Sequence, residues 1–142
     1  MMHFVRAFGL HQPDRTACGQ PISTSEAHAL GVLDDAGAIR LAQLADELVL
    51  EKSTVSRLVS SLRGRGWVRL DRDPSDGRAR LVKLTASGRR AATRLKAARS
   101  TLFDTVLARI DPDRHYEVIS ALAELTEAAR SAARGETGAS GS

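Results

Sequence analysis

Residues 51–68 read EKSTVSRLVSSLRGRGWV. Val55, Leu58, Val59 and Leu62 recur at i, i+3, i+4 and i+7, the spacing of one buried helix face. At about 100° per residue, Ser53, Arg57, Ser60 and Gly64 fall opposite them, with Thr54 and Ser56 on the flanks. The outer face is therefore short and polar, with one long cation. A solvated surface helix more often carries Glu and Lys in i, i+4 pairs, yet no acid stands between Lys52 and Leu70. A helix enters a major groove only if its side chains allow close approach. Ser and Thr can then reach base edges or phosphates, and an Arg at position 57 can pair with guanine O6 and N7. The stretch reads as a helix shaped for DNA.

Its neighbours fit that reading. Upstream, Leu41, Leu44, Ala45 and Leu48 repeat the same spacing, and Val49-Leu50-Glu51 separate the two patterns. Two short amphipathic helices with a three-residue break form a helix-turn-helix. Downstream, Gly64 and Gly66 end the second helix. Trp67-Val68-Arg69-Leu70 alternates apolar and basic residues, as does Leu81-Val82-Lys83-Leu84, and the turn-rich run Asp71 to Arg78 lies between. A β-hairpin with a long charged tip is predicted. Arg72, Arg78 and Arg80 stand at or near that tip, where an Arg can enter a narrow, electronegative minor groove. Asp73 or Asp76 is placed to brace such an Arg by a bidentate pair.

Further out, residues 1–10 suggest a short helix, broken at His11-Gln12-Pro13, and 11–22 a loop. Ser23 with Glu26 three residues later predicts a capping box for a helix that Gly37 ends. Ala38-Ile39-Arg40 reads as extended. Thr85 is a cap for a long helix striped by Ala91, Leu95, Ala98, Leu102, Val106 and Ile110. Asp111-Pro112 restarts a helix striped by His115, Val118, Ile119, Leu122, Leu125 and Ala129. The tail GETGASGS is predicted to be disordered. The expected fold is mainly α with a small β-wing (α+β). Its parts are a short helix and loop at 1–22, a winged helix-turn-helix at 23–89, C-terminal dimerisation helices at 90–134 and a tail at 135–142.

Charge points the same way. Residues 52–99 hold fourteen Lys and Arg against three Asp, while the rest of the 142-residue chain is net acidic. One basic segment in an otherwise acidic chain is the footprint of a polyanion partner. Aromatics make up 4% of residues, so the core must be built of Leu, Val, Ile and Ala. No apolar run is long enough to span a bilayer, and the N-terminus lacks the pattern of a secretion signal. With one cysteine there is no internal disulfide, and a soluble cytoplasmic protein is expected.

The run LAQLADELVLEKSTVSRLVSSLRGRGWVRLDRDPSDGRARLVKLTASGRR resembles the winged helix of the multiple antibiotic resistance regulators, the MarR family. The resemblance rests on Leu41-Ala42-Gln43-Leu44-Ala45, Ser53 to Val59, Leu62, Gly66-Trp67-Val68, Arg72 to Arg78 and Leu84-Thr85-Ala86-Ser87-Gly88, in order and at matching spacing. It implies a homodimeric cytoplasmic regulator of transcription that binds double-stranded DNA, often a repressor released by a small ligand or an oxidant. The DNA-reading helix corresponds to 52–65, with Lys52, Ser53, Thr54, Ser56, Arg57 and Ser60 as contacts. The wing corresponds to 68–84, with Arg72, Asp76, Arg78 and Arg80. Two features depart from the family. Glu51 stands where a Ser or Asp usually caps the reading helix. Only about ten residues precede His11-Gln12-Pro13, where the family usually has a long dimerisation helix. Dimerisation is then expected from the C-terminal helices, through Leu95, Leu102, Val106, Ile119 and Leu122; alternatively, the native chain begins upstream of Met1.

Other classes are weaker. Some relatives sense oxidants through an N-terminal cysteine, and Cys18 is the one candidate; a reactive thiol needs nearby positive charge. His11, Cys18 and His28, with Glu26 and His115, are candidates for zinc, at no recognised ligand spacing. No nucleophile elbow, phosphate loop or metal-ligand motif points to an enzyme, and no cofactor is expected beyond an unidentified small effector. A sequence-independent architectural DNA-binding protein shares the basic patch but needs no base-reading helix.

Overall fold

A computed structural model describes residues 1–139. The chain divides into two compact units, Met1–Ser100 and a second from Thr101 onward. In the first unit the order is α1 (Met2–Ala7), α2 (Thr24–Ala36), β1 (Ala38–Arg40), α3 (Leu41–Leu48), α4 (Lys52–Gly64), β2 (Val68–Arg72), β3 (Arg80–Leu84) and the start of α5 (Ala86–Leu107). The three strands form an antiparallel sheet in the order β1-β3-β2. Arg40 lies opposite Leu81 across one side of β3, and Arg72 opposite Arg80 across the other.

Local chemistry sets these boundaries. Ser23 Oγ accepts from the Glu26 N–H while Glu26 Oε2 accepts from the Ser23 N–H, so the expected capping box forms at α2. Gly37, at φ 74°, ends that helix. In α3, Val49 adopts the left-handed conformation at φ 54°, with Leu50 N–H bonded to Ala45 O and Val49 N–H to Asp46 O. That is a Schellman ending with a β-branched residue in the place usually held by glycine. Gly66 plays the same part after α4, where Trp67 N–H bonds to Leu62 O. The helix-turn-helix break at 49–51 and the end of the second helix thus share one backbone solution.

The core is aliphatic. Leu30 and Leu33 of α2, Leu44 of α3, Val55, Val59 and Leu62 of α4 and Val82 of β3 are its largest fully buried side chains. All four stripe residues of α4 are buried. Trp67, Leu70 and Leu95 pack against the edge of this core. Leu95, expected at a dimer face, is half-buried here: its stripe also carries Ala91, which is buried, so this end of α5 packs against the winged unit's own core. The first compact unit takes in this start of α5 and extends to Ser100.

In the second unit, Asp111 caps a 3₁₀ turn (Pro112–Arg114) that leads into α6 (His115–Ala139). His115 Nε2 lies 2.9 Å from Leu107 O and 3.0 Å from Ile110 O, closing the end of α5. Val106, Ile119, Leu122 and Leu125 are exposed. Of the tail expected at 135–142, residues 135–139 continue α6, and 140–142 lie outside the described residues. Among the described residues, no helix is long and apolar enough to cross a membrane.

Candidate nucleic-acid interface

With its apolar stripe facing the core, α4 presents the opposite face outward. Lys52, Ser53, Ser56, Arg57 and Ser60 are exposed, and Thr54 is half-buried. Glu51 forms no side-chain cap hydrogen bond, so the first-turn N–H groups of α4 keep their partial positive charge. The far end of α4 is fixed from α2. Glu26, only 8% exposed, accepts a 2.7 Å hydrogen bond from Ser61 Oγ, and Arg65 Nε lies 3.6 Å away. Burial alone would push the Glu26 carboxyl up. The hydrogen bonds from Ser61 and the Ser23 N–H, with the Arg65 charge, bring it below its ordinary value instead. Arg65 also lies over the Trp67 ring, 5.1 Å from its centroid. One carboxylate therefore starts α2 and orients the last turns of α4.

The wing divides into a neutralised base and a cationic tip. At its base, Asp71 pairs with Arg69 at 3.5 Å and with Lys83 at 3.3 Å. Arg72, Arg78 and Arg80 are exposed, and no ion pair among the described residues involves them, Lys52 or Arg57. Asp76 serves the turn and not a guanidinium: its Oδ1 accepts from the Arg78 backbone N–H at 3.1 Å. The expected bracing of a wing-tip Arg by Asp73 or Asp76 is thus corrected. Asp73 is buried, and its partner is Arg40 of β1, with Nε 2.6 Å from Oδ2. Its other oxygen accepts from the Ser75 hydroxyl at 2.7 Å and the Ser75 N–H at 2.8 Å. The Ser75 hydroxyl and N–H, then the Arg40 guanidinium, hold the Asp73 carboxyl down at about 2. Sequence reasoning missed Arg40, because its partner lies 33 residues away, and missed the link from Glu26 to Ser61. The extended Ala38-Ile39-Arg40 beside a hairpin was the available signal for the first.

The candidate metal ligands do not converge. Among the described residues no three His, Cys, Asp or Glu side chains form a group able to hold a metal ion, so His11, Cys18 and His28 build no such site. Glu26 is engaged as described, and Cys18 Sγ lies 3.1 Å from Thr16 Oγ1.

What remains is an exposed polar helix face and a cationic hairpin tip on one small unit, an arrangement chemically suited to a polyanion. Comparison with known proteins agrees. Residues 20–79 match the model of the MarR family. Over 104 residues the chain is 28% identical to the HTH-type transcriptional regulator YdgJ of Bacillus subtilis, which covers 73% of this chain and 63% of that protein. A probable transcriptional regulator from Pseudomonas aeruginosa superposes with a TM-score of 0.73 at 25% identity, covering 87% of this chain and 91% of that one. The PcaV transcriptional regulator of Streptomyces coelicolor, solved with its natural ligand, shares the fold at a TM-score of 0.71 and 23% identity, over 90% and 89% of the two chains. The likeness to the MarR family thus runs through the winged helix-turn-helix.

Proposed function

We propose that the protein is a sequence-specific DNA-binding regulator of transcription. It acts as a homodimeric repressor on a palindromic operator and is released by a small ligand. The observation that carries this reading is the outer face of α4, short, polar and acid-free, with Arg57 exposed and outside any ion pair among the described residues. Lys52, Ser53, Thr54, Ser56 and Ser60 flank Arg57 as phosphate and base-edge contacts. The wing adds Arg72, Arg78 and Arg80 for the neighbouring minor groove.

Dimerisation has a physical motive. One reading helix buries too little surface for a tight specific complex. Two related by a two-fold axis read half-sites about one helical turn apart. Val106, Ile119, Leu122 and Leu125 leave apolar surface that a second copy would cover. The small-ligand element rests on relatives such as PcaV, whose structure contains its natural ligand. Exposed cations line the outer face of α4 and the wing, and on that ground the protein is read as a regulator and not an enzyme.

The test is fluorescence anisotropy with the duplex upstream of the protein's own gene against a scrambled duplex, at several salt concentrations. Preferential binding to the native duplex is expected, with a steep salt dependence from phosphate contacts. Equal, salt-labile binding to both duplexes would replace this reading with an architectural one.

A further inference from the structure

We propose that Arg40 is a positioning residue of the wing: the Arg40–Asp73–Ser75 cluster ties the 73–79 loop to strand β1 and so fixes where Arg78 and Arg80 meet DNA. The inference rests on the DNA-binding reading above and adds to it a part outside both the reading helix and the wing.

Asp73 is an acid in the most basic segment of the chain, so in a face that binds a polyanion its charge opposes binding. Its surroundings show what it does instead. It is 6% exposed, and both oxygens are in use. Oδ1 takes two hydrogen bonds from Ser75, and Oδ2 takes one from Arg40 Nε at 2.6 Å, with the ion-paired Arg40 Nη2 also 2.6 Å away. That same terminal nitrogen, Nη2, also donates to Ser75 Oγ at 3.2 Å. With Nε bonded to Asp73 and Nη2 to Ser75, the guanidinium is fixed in direction as well as distance.

The loop beyond is internally cinched. Asp73 N–H bonds to Ala79 O, Ala79 N–H to Asp76 O, and Arg78 N–H to Asp76 Oδ1. Residues 73–79 therefore form one small knot, and Arg40 links it across β3 to the opposite edge of the sheet. Arg40 is also the residue from which α3 starts, its N–H donating to Gln43 Oε1 at 3.2 Å. The wing tip and the helix-turn-helix are thereby joined at one side chain. An untethered hairpin tip would lose conformational freedom on binding, and that loss subtracts from affinity.

The sign of one substitution separates positioning from plain electrostatics. Asp73→Asn removes a negative charge from a DNA-facing segment, so electrostatics alone predicts tighter binding. Positioning predicts weaker binding. In the full chain, Asp73→Asn and Arg40→Ala are each expected to weaken binding to the preferred duplex by roughly three- to thirtyfold, with the double variant no weaker than the worse single one. The salt slope should stay at the wild-type value. In the free protein, amides 75 and 79 should exchange faster in both variants while those of α4 keep their protection. Arg40→Lys keeps the charge but loses the two-nitrogen grip, so it should behave like Arg40→Ala, and it serves if the alanine variant folds poorly.

Equal or tighter binding by Asp73→Asn would overturn the proposal, as would multiplicative losses in the double variant. A salt slope reduced by about one in Arg40→Ala would make Arg40 a direct phosphate contact and overturn it as well. If the wild-type protein preferred no duplex, the regulator reading itself would fall and the positioning role with it. Faster wing exchange in the variants would then mark the cluster as a structural tether alone.

Discussion

Arg57 and Gly88 carry opposite kinds of constraint. Arg57 is exposed on the outer face of α4 and is held by no ion pair among the described residues. Its substitution should leave the fold intact and strike recognition. Arg57→Ala is expected to cost ~1–3 kcal/mol in binding to the preferred duplex and to relax base preference at one position. Competition binding with single-base operator variants checks this, and an equal loss for every sequence would make Arg57 a phosphate contact. Gly88 is a packing constraint. A Cβ there would stand 1.9 Å from Trp67 O and 3.2 Å from Leu84 Cδ2. Helix propensity favours Ala over Gly by only about 1 kcal/mol. The obstacle is backbone, which cannot swing aside, and overpacking costs typically ~1–3 kcal/mol or more. Gly88→Ala should therefore lower the urea midpoint, and a midpoint at or above that of the wild type would contradict the packing at this joint.

At the scale of elements, the wing is the clearest case of what sequence can and cannot convey. Its strands were legible because alternation and turn residues are local signals. The capping box of α2 and the Thr85 cap of α5 were legible for the same reason, with Thr85 Oγ1 accepting from the Gly88 N–H at 3.0 Å. The partner of Asp73 was not, because it is set by strand order: β1 lies beside β3, and only that pairing carries Arg40 to the wing. The packing of Leu95 against the core was not legible either, because periodicity identifies an apolar face but not what covers it. The wing also makes a prediction about pH. The Asp73 carboxyl is lowered in the folded protein to about 2 from an ordinary 3.8. Its contribution to stability is therefore fully present above the unfolded value and is lost as pH falls through the folded one. An acid titration followed at the Ser75 amide by NMR should show a midpoint near 2, with the wing intact at pH 4. A midpoint at or above 4 would contradict the cluster as described.

Across the whole molecule, the account needs two copies. On the proposed reading, the helix-turn-helix and wing of one copy supply one half-site reader, while the exposed Ile119, Leu122 and Leu125 of α6 are the face that a second copy would cover. Ending the chain after Ile110 should yield a monomer by sedimentation, and a fully dimeric fragment would contradict the assignment of that face. The most direct measurement is an unbiased one: enrichment of a randomised duplex library by the full chain, followed by sequencing. The account predicts an inverted repeat whose half-sites are centred about one helical turn apart, with enrichment abolished or relaxed by Arg57→Ala. A bound pool with no sequence in common would contradict the claim that α4 reads bases.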